Sequence, residues 1–108
     1  MSTATEKTAV DKAEEYYNST PADEFYFKIW GGTHIHVGIY DHAKEPIKDA
    51  SPKIVRMMAA KLKLDSNTKL LDLGSGYGGA ARFLAKEFGV QVTCLNLSET
   101  QNERNRSL

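Results

Sequence analysis

The chain has 108 residues, room for one domain, and its 14 lysines and arginines balance 14 aspartates and glutamates. Zero formal charge argues against nucleic acid or a membrane surface as a partner held by bulk electrostatics, and no apolar run approaches the roughly 18 residues that span a bilayer. Residues 1–7 lack a secretory core and Cys94 is the single cysteine, which excludes a disulfide framework or thiolate metal cage and predicts a soluble, cytoplasmic protein.

Residues 1–7 are small and polar and are expected to fray. From Ala9 to Asn18, the residues Val10, Ala13, Tyr16 and Tyr17 share one face, which predicts an amphipathic helix. The stretch Asn18–Ala22 breaks it; Thr20 is placed to cap the next helix, with Pro21 in its first turn. Phe25, Tyr26, Phe27, Ile29 and Trp30 crowd that short helix until Gly31 and Gly32 stop it. An extended, histidine-rich segment runs from Thr33 to Tyr40, followed by a polar, irregular stretch to Ala50. Ser51 then reads as a cap and Pro52 as a first-turn residue of a helix whose stripe is Ile54, Val55, Met58 and Leu62, ending near Leu64. Asp65–Asn67 is a turn.

Leu70, Leu71 and Leu73 then read as a short buried strand that breaks into Gly74, Gly76, Gly78 and Gly79. A helix with Ala80, Phe83, Leu84 and Phe88 on its apolar face resumes, and Gly89 is a left-handed stop. Val90–Leu95 is a second strand, ending at Asn96, and Ser98 with Gln101 forms a capping-box pattern for a last helix. Strand, glycine turn and helix make a nucleotide-binding corner in which bare amides and a helix N-terminus face a ligand. Cys94 alternates with Val90 and Val92 on one strand face and is expected to be buried and inert.

Gly74-x-Gly76-x-x-Gly79 satisfies the spacing of a dinucleotide fingerprint, a weak match by itself. Asp72 separates the candidates, because a carboxylate repels a diphosphate and attracts a cationic ligand such as S-adenosylmethionine (SAM), which carries an ammonium and a sulfonium and no phosphate. Asn96 stands where an acidic residue usually meets ribose hydroxyls, and its amide adds donors that a carboxylate lacks. Blander roles stay open: Asp72 as a helix-capping carboxylate and Asn96 as a turn residue. Tyr17, Tyr26, Trp30 and Tyr40 offer aromatic faces to sulfonium or ammonium groups, or simply pack, with packing favoured for Phe25, Phe27 and Trp30. His34 and His36 share a face if extended, a conceivable metal pair that no third ligand at suitable spacing joins; no metal is expected.

Leu70–Gly79 resembles the first motif of class I SAM-dependent methyltransferases. Tyr16–Ser19, Asp23–Gly32, His34–Tyr40, Gly78–Leu84, Cys94–Ser98 and Gln101–Asn105 together resemble the glycine/sarcosine/dimethylglycine N-methyltransferases, and most closely those that methylate sarcosine and dimethylglycine to the osmolyte glycine betaine. The resemblance covers nearly the whole chain and about the first third of such an enzyme. It implies an α/β fold in which residues 1–64 form an N-terminal helical cap or lid. Residues 65–108 would begin a Rossmann-like SAM-binding domain, here cut short in its first βαβ part. It further implies that Gly74 and Gly76 line the SAM methionine and ribose, with Asp72 organising the loop. Asn96 would meet the ribose, Leu97 would pack on adenine and Gln101 would reach the ligand. Tyr17 and the His36 segment would fold over the methionine end. Substrate-binding and catalytic residues are expected beyond Leu108.

Two strands fall short of the five or more of a doubly wound sheet, so the chain is expected to be the N-terminal portion of a longer enzyme, or to complete its sheet by association with another chain. Competing functional readings are a SAM methyltransferase for phosphoethanolamine or a lipid, an NAD(P)-dependent oxidoreductase, and a non-catalytic fragment needing a partner.

Overall fold

A computed structural model of the chain describes residues 6–108; the fraying expected for residues 1–7 falls, up to residue 5, outside the described residues. The order is α1 (Ala9–Asn18), α2 (Thr20–Glu24), a π-helical turn (Phe25–Trp30), α3 (Ile47–Ala60), β1 (Lys69–Leu73), α4 (Gly79–Phe88), β2 (Gln91–Leu95) and α5 (Glu99–Ser107). Strands β1 and β2 pair in parallel, from Lys69 opposite Gln91 to Leu73 opposite Leu95. Parallel neighbours need a crossover, which α4 supplies. The result is an α/β arrangement: a helical first half, then one βαβ unit and the helix that follows it.

Local chemistry explains most helix ends. Thr8 opens α1 with a reciprocal cap: its Oγ1 accepts from the Asp11 N–H, and the Asp11 carboxylate accepts from the Thr8 N–H. Gly89, at φ 69°, closes α4 in the left-handed conformation that favours glycine. The Asp65 carboxylate accepts from the Asn67 N–H at 2.8 Å and holds the turn before β1.

Two expected caps move. Ser19, rather than Thr20, caps α2, because its extended backbone is where the chain breaks between α1 and α2. Helix α3 starts at Ile47, before Ser51, and ends at Ala60. The reason is tertiary. Gly38 lies so close to α3 that a Cβ there would fall 2.5 Å from the Ala50 carbonyl carbon, and the Ile39 N–H donates to the Ala50 carbonyl at 3.1 Å. Ala50 and Ser51 are thereby fully buried, and Ser51 Oγ donates to the His36 carbonyl at 3.4 Å. Pro52 sits inside the helix, where it removes the donor that would otherwise meet the Lys48 carbonyl.

The sheet corrects two further expectations. Leu71 is 55% exposed and Leu73 69% exposed, so β1 is apolar without being buried. Cys94 is also exposed. Parallel strands are normally covered on both faces and flanked by further strands; among the described residues the sheet has two strands, and the leucine face carries no second layer.

The helical half is tied to the βαβ unit by polar contacts. Asn18 Oδ1 accepts from Ser98 Oγ at 2.7 Å and from the Thr100 N–H at 3.2 Å, joining the end of α1 to the start of α5. Tyr77, in the glycine turn, is fully buried and donates its hydroxyl to Asp23 Oδ1 at 2.8 Å. Asp23 in turn receives a two-pronged bond from Arg104 of α5, with Nε to Oδ1 at 3.1 Å and Nη2 to Oδ2 at 2.5 Å. A Cβ on Gly79 would lie 2.4 Å from the Thr33 carbonyl oxygen, so here glycine lets the histidine-rich segment lie directly on the start of α4.

That contact sets a test. Gly79→Ala drives a methyl into backbone and should cost at least about 3 kcal/mol in urea unfolding. Gly74→Ala meets open space and carries only the left-handed penalty of roughly 1–2 kcal/mol. The opposite ranking would contradict this packing.

Candidate functional site

A cleft of about 810 Å³ opens between the glycine turn, the C-terminal end of β2, the start of α5 and the helical half. The eight residues singled out from sequence, Tyr17, His36, Asp72, Gly74, Gly76, Asn96, Leu97 and Gln101, all line it. They reach it from five places: the end of α1, the histidine-rich segment, β1 with its glycine turn, the β2–α5 connection and the first turn of α5. Tyr26 and Ser75 join them. Trp30 and Tyr40 do not, so the aromatic wall is formed by Tyr17 and Tyr26, with ring centroids 6.0 Å apart at 34°. The Tyr26 phenol is pushed up to about 12, first by its hydrogen bond with the Tyr16 hydroxyl and then by burial, so it stays neutral. Phe27 packs instead behind the cleft, edge-on to Tyr77 at 5.7 Å.

The glycine turn is not the bare-amide cradle its spacing suggests. The N–H groups of Gly74 and Ser75 both donate to the Leu95 carbonyl, at 2.7 and 3.2 Å, and the Gly78 N–H donates to the Ser75 carbonyl at 2.9 Å. The Gly76 N–H donates to Asn96 Oδ1 at 3.2 Å. Four amides of the turn are therefore spent inside the protein, three of them on Leu95 and Asn96 at the end of the neighbouring strand and one within the turn. Nor does Asp72 cap α4: it lies on β1, and Gly78 occupies the cap position with no side-chain bond.

Asn96 also does more than turn the chain. Its Oδ1 holds the glycine turn while its Nδ2 donates to Gln101 Oε1 at 2.9 Å. Gln101 is only 3% exposed, and its Nε2 is buried without a partner, as is Ser75 Oγ. Since the Asn96 amide donates to the Gln101 oxygen, the Gln101 NH2 is the end left over. A carboxylate at 96 would bind that NH2 and reverse the arrangement. The expected capping box is accordingly half-formed: Ser98 Oγ accepts from the Gln101 N–H at 3.2 Å, but the Gln101 side chain goes to Asn96.

The cleft carries one half-buried acid, Asp72, together with His36, which pairs with His34. Burial pushes the Asp72 carboxyl above its ordinary value, against a weaker opposing pull from His36. His34 Nδ1 lies 3.2 Å from His36 Nε2, and His36 Nδ1 lies 3.1 Å from the Val37 carbonyl. A carbonyl only accepts, so His36 Nδ1 carries a proton and donates to Val37. Burial, and then His36, holds His34 below the usual imidazole value. The two imidazoles bond to each other, and no group of three or more His, Cys, Asp or Glu that could hold a metal occurs among the described residues. Together the site offers a half-buried carboxylate, two aromatic faces and two orphaned polar groups, Gln101 Nε2 and Ser75 Oγ. Such a set suits a ligand that is cationic at one end and rich in hydrogen-bonding groups along its length.

Sequence reasoning missed Ser75 as a lining residue and the Tyr77–Asp23–Arg104 cluster behind the wall. A bulky tyrosine flanked by glycines was the available signal, since its ring must turn inward when the backbone around it faces a cleft.

Comparison with known proteins fits this geometry. The family model described as mycolic acid cyclopropane synthetase matches residues 4–108. The chain is 54% identical over 100 residues to the glycine/sarcosine/dimethylglycine N-methyltransferase of Actinopolyspora halophila, a match over 93% of the chain and 18% of that protein. It is 52% identical over 106 residues to the sarcosine/dimethylglycine N-methyltransferase of Aphanothece halophytica, over 96% of the chain and 38% of that protein. A crystal structure of a candidate sarcosine dimethylglycine methyltransferase from Galdieria sulphuraria superposes with a TM-score of 0.74 at 45% identity, over 85% of the chain and 36% of that structure. The chain thus spans well under half the length of each of these relatives.

The half-buried Asp72 sets a pH test of the ligand-free protein. Its folded value is raised above the unfolded 3.8, so the fold disfavours the charged form. The resulting penalty is absent below the unfolded value, grows as pH rises toward the folded one, and is complete above it. Asp72→Asn should therefore raise the melting temperature at neutral pH and lose that gain on acidification below the unfolded value. A lower melting temperature at neutral pH would contradict the burial assigned to this carboxylate.

Proposed function

The chain belongs to the mycolic acid cyclopropane synthetase family, and on that premise we propose that it is the cofactor-binding portion of a SAM-dependent N-methyltransferase acting on sarcosine or dimethylglycine in glycine betaine synthesis. In this reading residues 1–64 are the cap and residues 65–108 begin the cofactor domain. A cytoplasmic setting is part of the proposal. The observation that carries the cofactor is the cleft itself: a carboxylate on β1 beside a glycine turn four of whose amides are already spent. That combination favours a cationic amino-acid moiety and disfavours the diphosphate of a dinucleotide. The acceptor is supported by the identity of about half the residues to the two curated relatives that act on sarcosine and dimethylglycine.

The residues present fit SAM. Asp72 would face the cationic methionine end, and Tyr17 and Tyr26 would offer their ring faces to the sulfonium, at about 0.5–2 kcal/mol each. The orphaned Gln101 Nε2 and Ser75 Oγ would gain acceptors, Asn96 would meet the ribose with the lone pair and hydrogen it has left, and Leu97 would lie on the adenine. Gly74 would allow close approach, since a Cβ there would meet nothing but open space. When bound, SAM supplies an activated methyl group and leaves as S-adenosylhomocysteine. The chain's own part is to align that group and to exclude water from it, a task for which His36 and the two tyrosines form the lid.

Asp72→Ala in the complete natural protein should abolish SAM binding by calorimetry while leaving a folded, soluble protein. Labelled SAM offered with glycine, sarcosine and dimethylglycine in parallel should methylate the latter two. Affinity for SAM close to wild type in Asp72→Ala would overturn the cofactor assignment. Methyl transfer to phosphoethanolamine or a lipid alone would overturn the acceptor.

A further inference from the structure

Three of the segments that line the cleft are also bound, on their far side, to one buried cluster. The glycine turn enters it through Tyr77, whose ring is fully buried while Gly74, Ser75 and Gly76 face the cleft. The π-helical turn enters through Phe27, next to the cleft-lining Tyr26, and through Asp23 just before it. Helix α5 enters through Arg104, one helical turn after the cleft-lining Gln101.

The cluster is closed by directional contacts. The Tyr77 hydroxyl donates to Asp23 Oδ1 at 2.8 Å, Arg104 grips both Asp23 oxygens, and the Arg104 guanidinium lies 4.1 Å from the centre of the Phe27 ring, which stands edge-on to Tyr77 at 5.7 Å. Arg82 adds a second tie, donating to the Tyr77 carbonyl at 2.5 Å and to the Asn105 side chain at 2.5 Å. Filling this space needs only a ring; the hydroxyl and the ion pair add direction. A network closed by directional bonds around a buried carboxylate favours one arrangement, so displacing any member displaces the segments it anchors.

We propose that Tyr77, Asp23 and Arg104 are positioning residues for the cleft: their bonds set the glycine turn, the π-helical turn and α5 at the mutual placement in which one ligand meets all three. The probe below is chosen on the proposed cofactor, so the proposal rests on that reading for its binding arm. A ligand that spans the three segments must then, in turn, hold the cluster closed, which makes the helical half and the glycine turn stabilise each other when the cleft is filled.

The test uses the complete natural protein with Tyr77→Phe, which keeps the ring and removes only the hydroxyl. Amide hydrogen exchange without ligand should accelerate together in Asp23–Trp30, in the glycine turn and in α5, although these lie in separate elements. The affinity for S-adenosylhomocysteine should fall about tenfold, the order expected for one hydrogen bond to a charged group, and saturating S-adenosylhomocysteine should return exchange in all three segments to the wild-type rate. Acceleration confined to the glycine turn, or affinity unchanged with all three loosened, would overturn the proposal. Wild-type protein that fails to bind S-adenosylhomocysteine while the ligand-free exchange pattern still appears would overturn the cofactor reading and leave the cluster's role standing. Should Tyr77→Phe fail to fold, Arg104→Lys carries the same measurements, since it keeps the charge and loses the two-pronged grip.

Discussion

The structure hinges on one buried carboxylate. Asp23 is 8% exposed, and leaving it without partners there would be prohibitive. Arg104, 81 positions away in the chain, neutralises it, and Tyr77, 54 positions away, completes its hydrogen bonds. The Arg104 hydrogen bond, opposed by burial, keeps its carboxyl below the usual carboxylate range. Burial and the Asp23 charge raise the Tyr77 phenol well above the ordinary phenolic value, so it remains a neutral donor. Each partner thus fixes the protonation state that the others need. Helix α2, the glycine turn and α5 are held together by this chemistry more than by apolar area, in keeping with a core whose other buried apolar members are mostly alanine and valine.

The glycines of the turn divide their work accordingly. Gly79 makes room for the Thr33 backbone, and Gly76 approaches the Ile35 side chain, so these two serve contacts with the histidine-rich segment. Gly74 alone among them has open space where a Cβ would stand. Glycine spacing by itself fits several cofactors because it records how closely backbone is approached, without recording by what. The amides say more, since the N–H groups of Gly74, Ser75, Gly76 and Gly78 already bond to Leu95, Ser75 and Asn96 and are not offered to a ligand.

The site also shows function opposing stability. Asp72 is raised by burial, and Gln101 Nε2 and Ser75 Oγ are buried without partners. Each of these is a cost to the ligand-free fold that a ligand of matching chemistry would relieve. Asn96 supplies the orienting element: as an amide it holds Gly76 with its oxygen and the Gln101 oxygen with its nitrogen, which leaves the Gln101 NH2 over, whereas a carboxylate would take that NH2 itself.

The order of elements, the parallel βαβ unit and the strand–glycine–helix corner were legible in the chain, because they follow from local pattern: a β-rich run, glycines, caps and 3.6-residue periodicity; most of the residues named for the cleft came from the family resemblance. The family resemblance was legible for the same reason, being carried by contiguous motifs. Features that depend on distant partners were not. Ser51 is pulled inside α3 by Gly38, Cys94 and Leu71 are exposed because the leucine face and outer strand edge carry no cover among the described residues, and the glycine amides are consumed by Leu95 and Asn96 across the strand pair. Asp23 and Arg104 look in sequence like ordinary surface charges. Only tertiary structure could join them, because burial and pairing of a charge are decided by what the folded chain brings beside it.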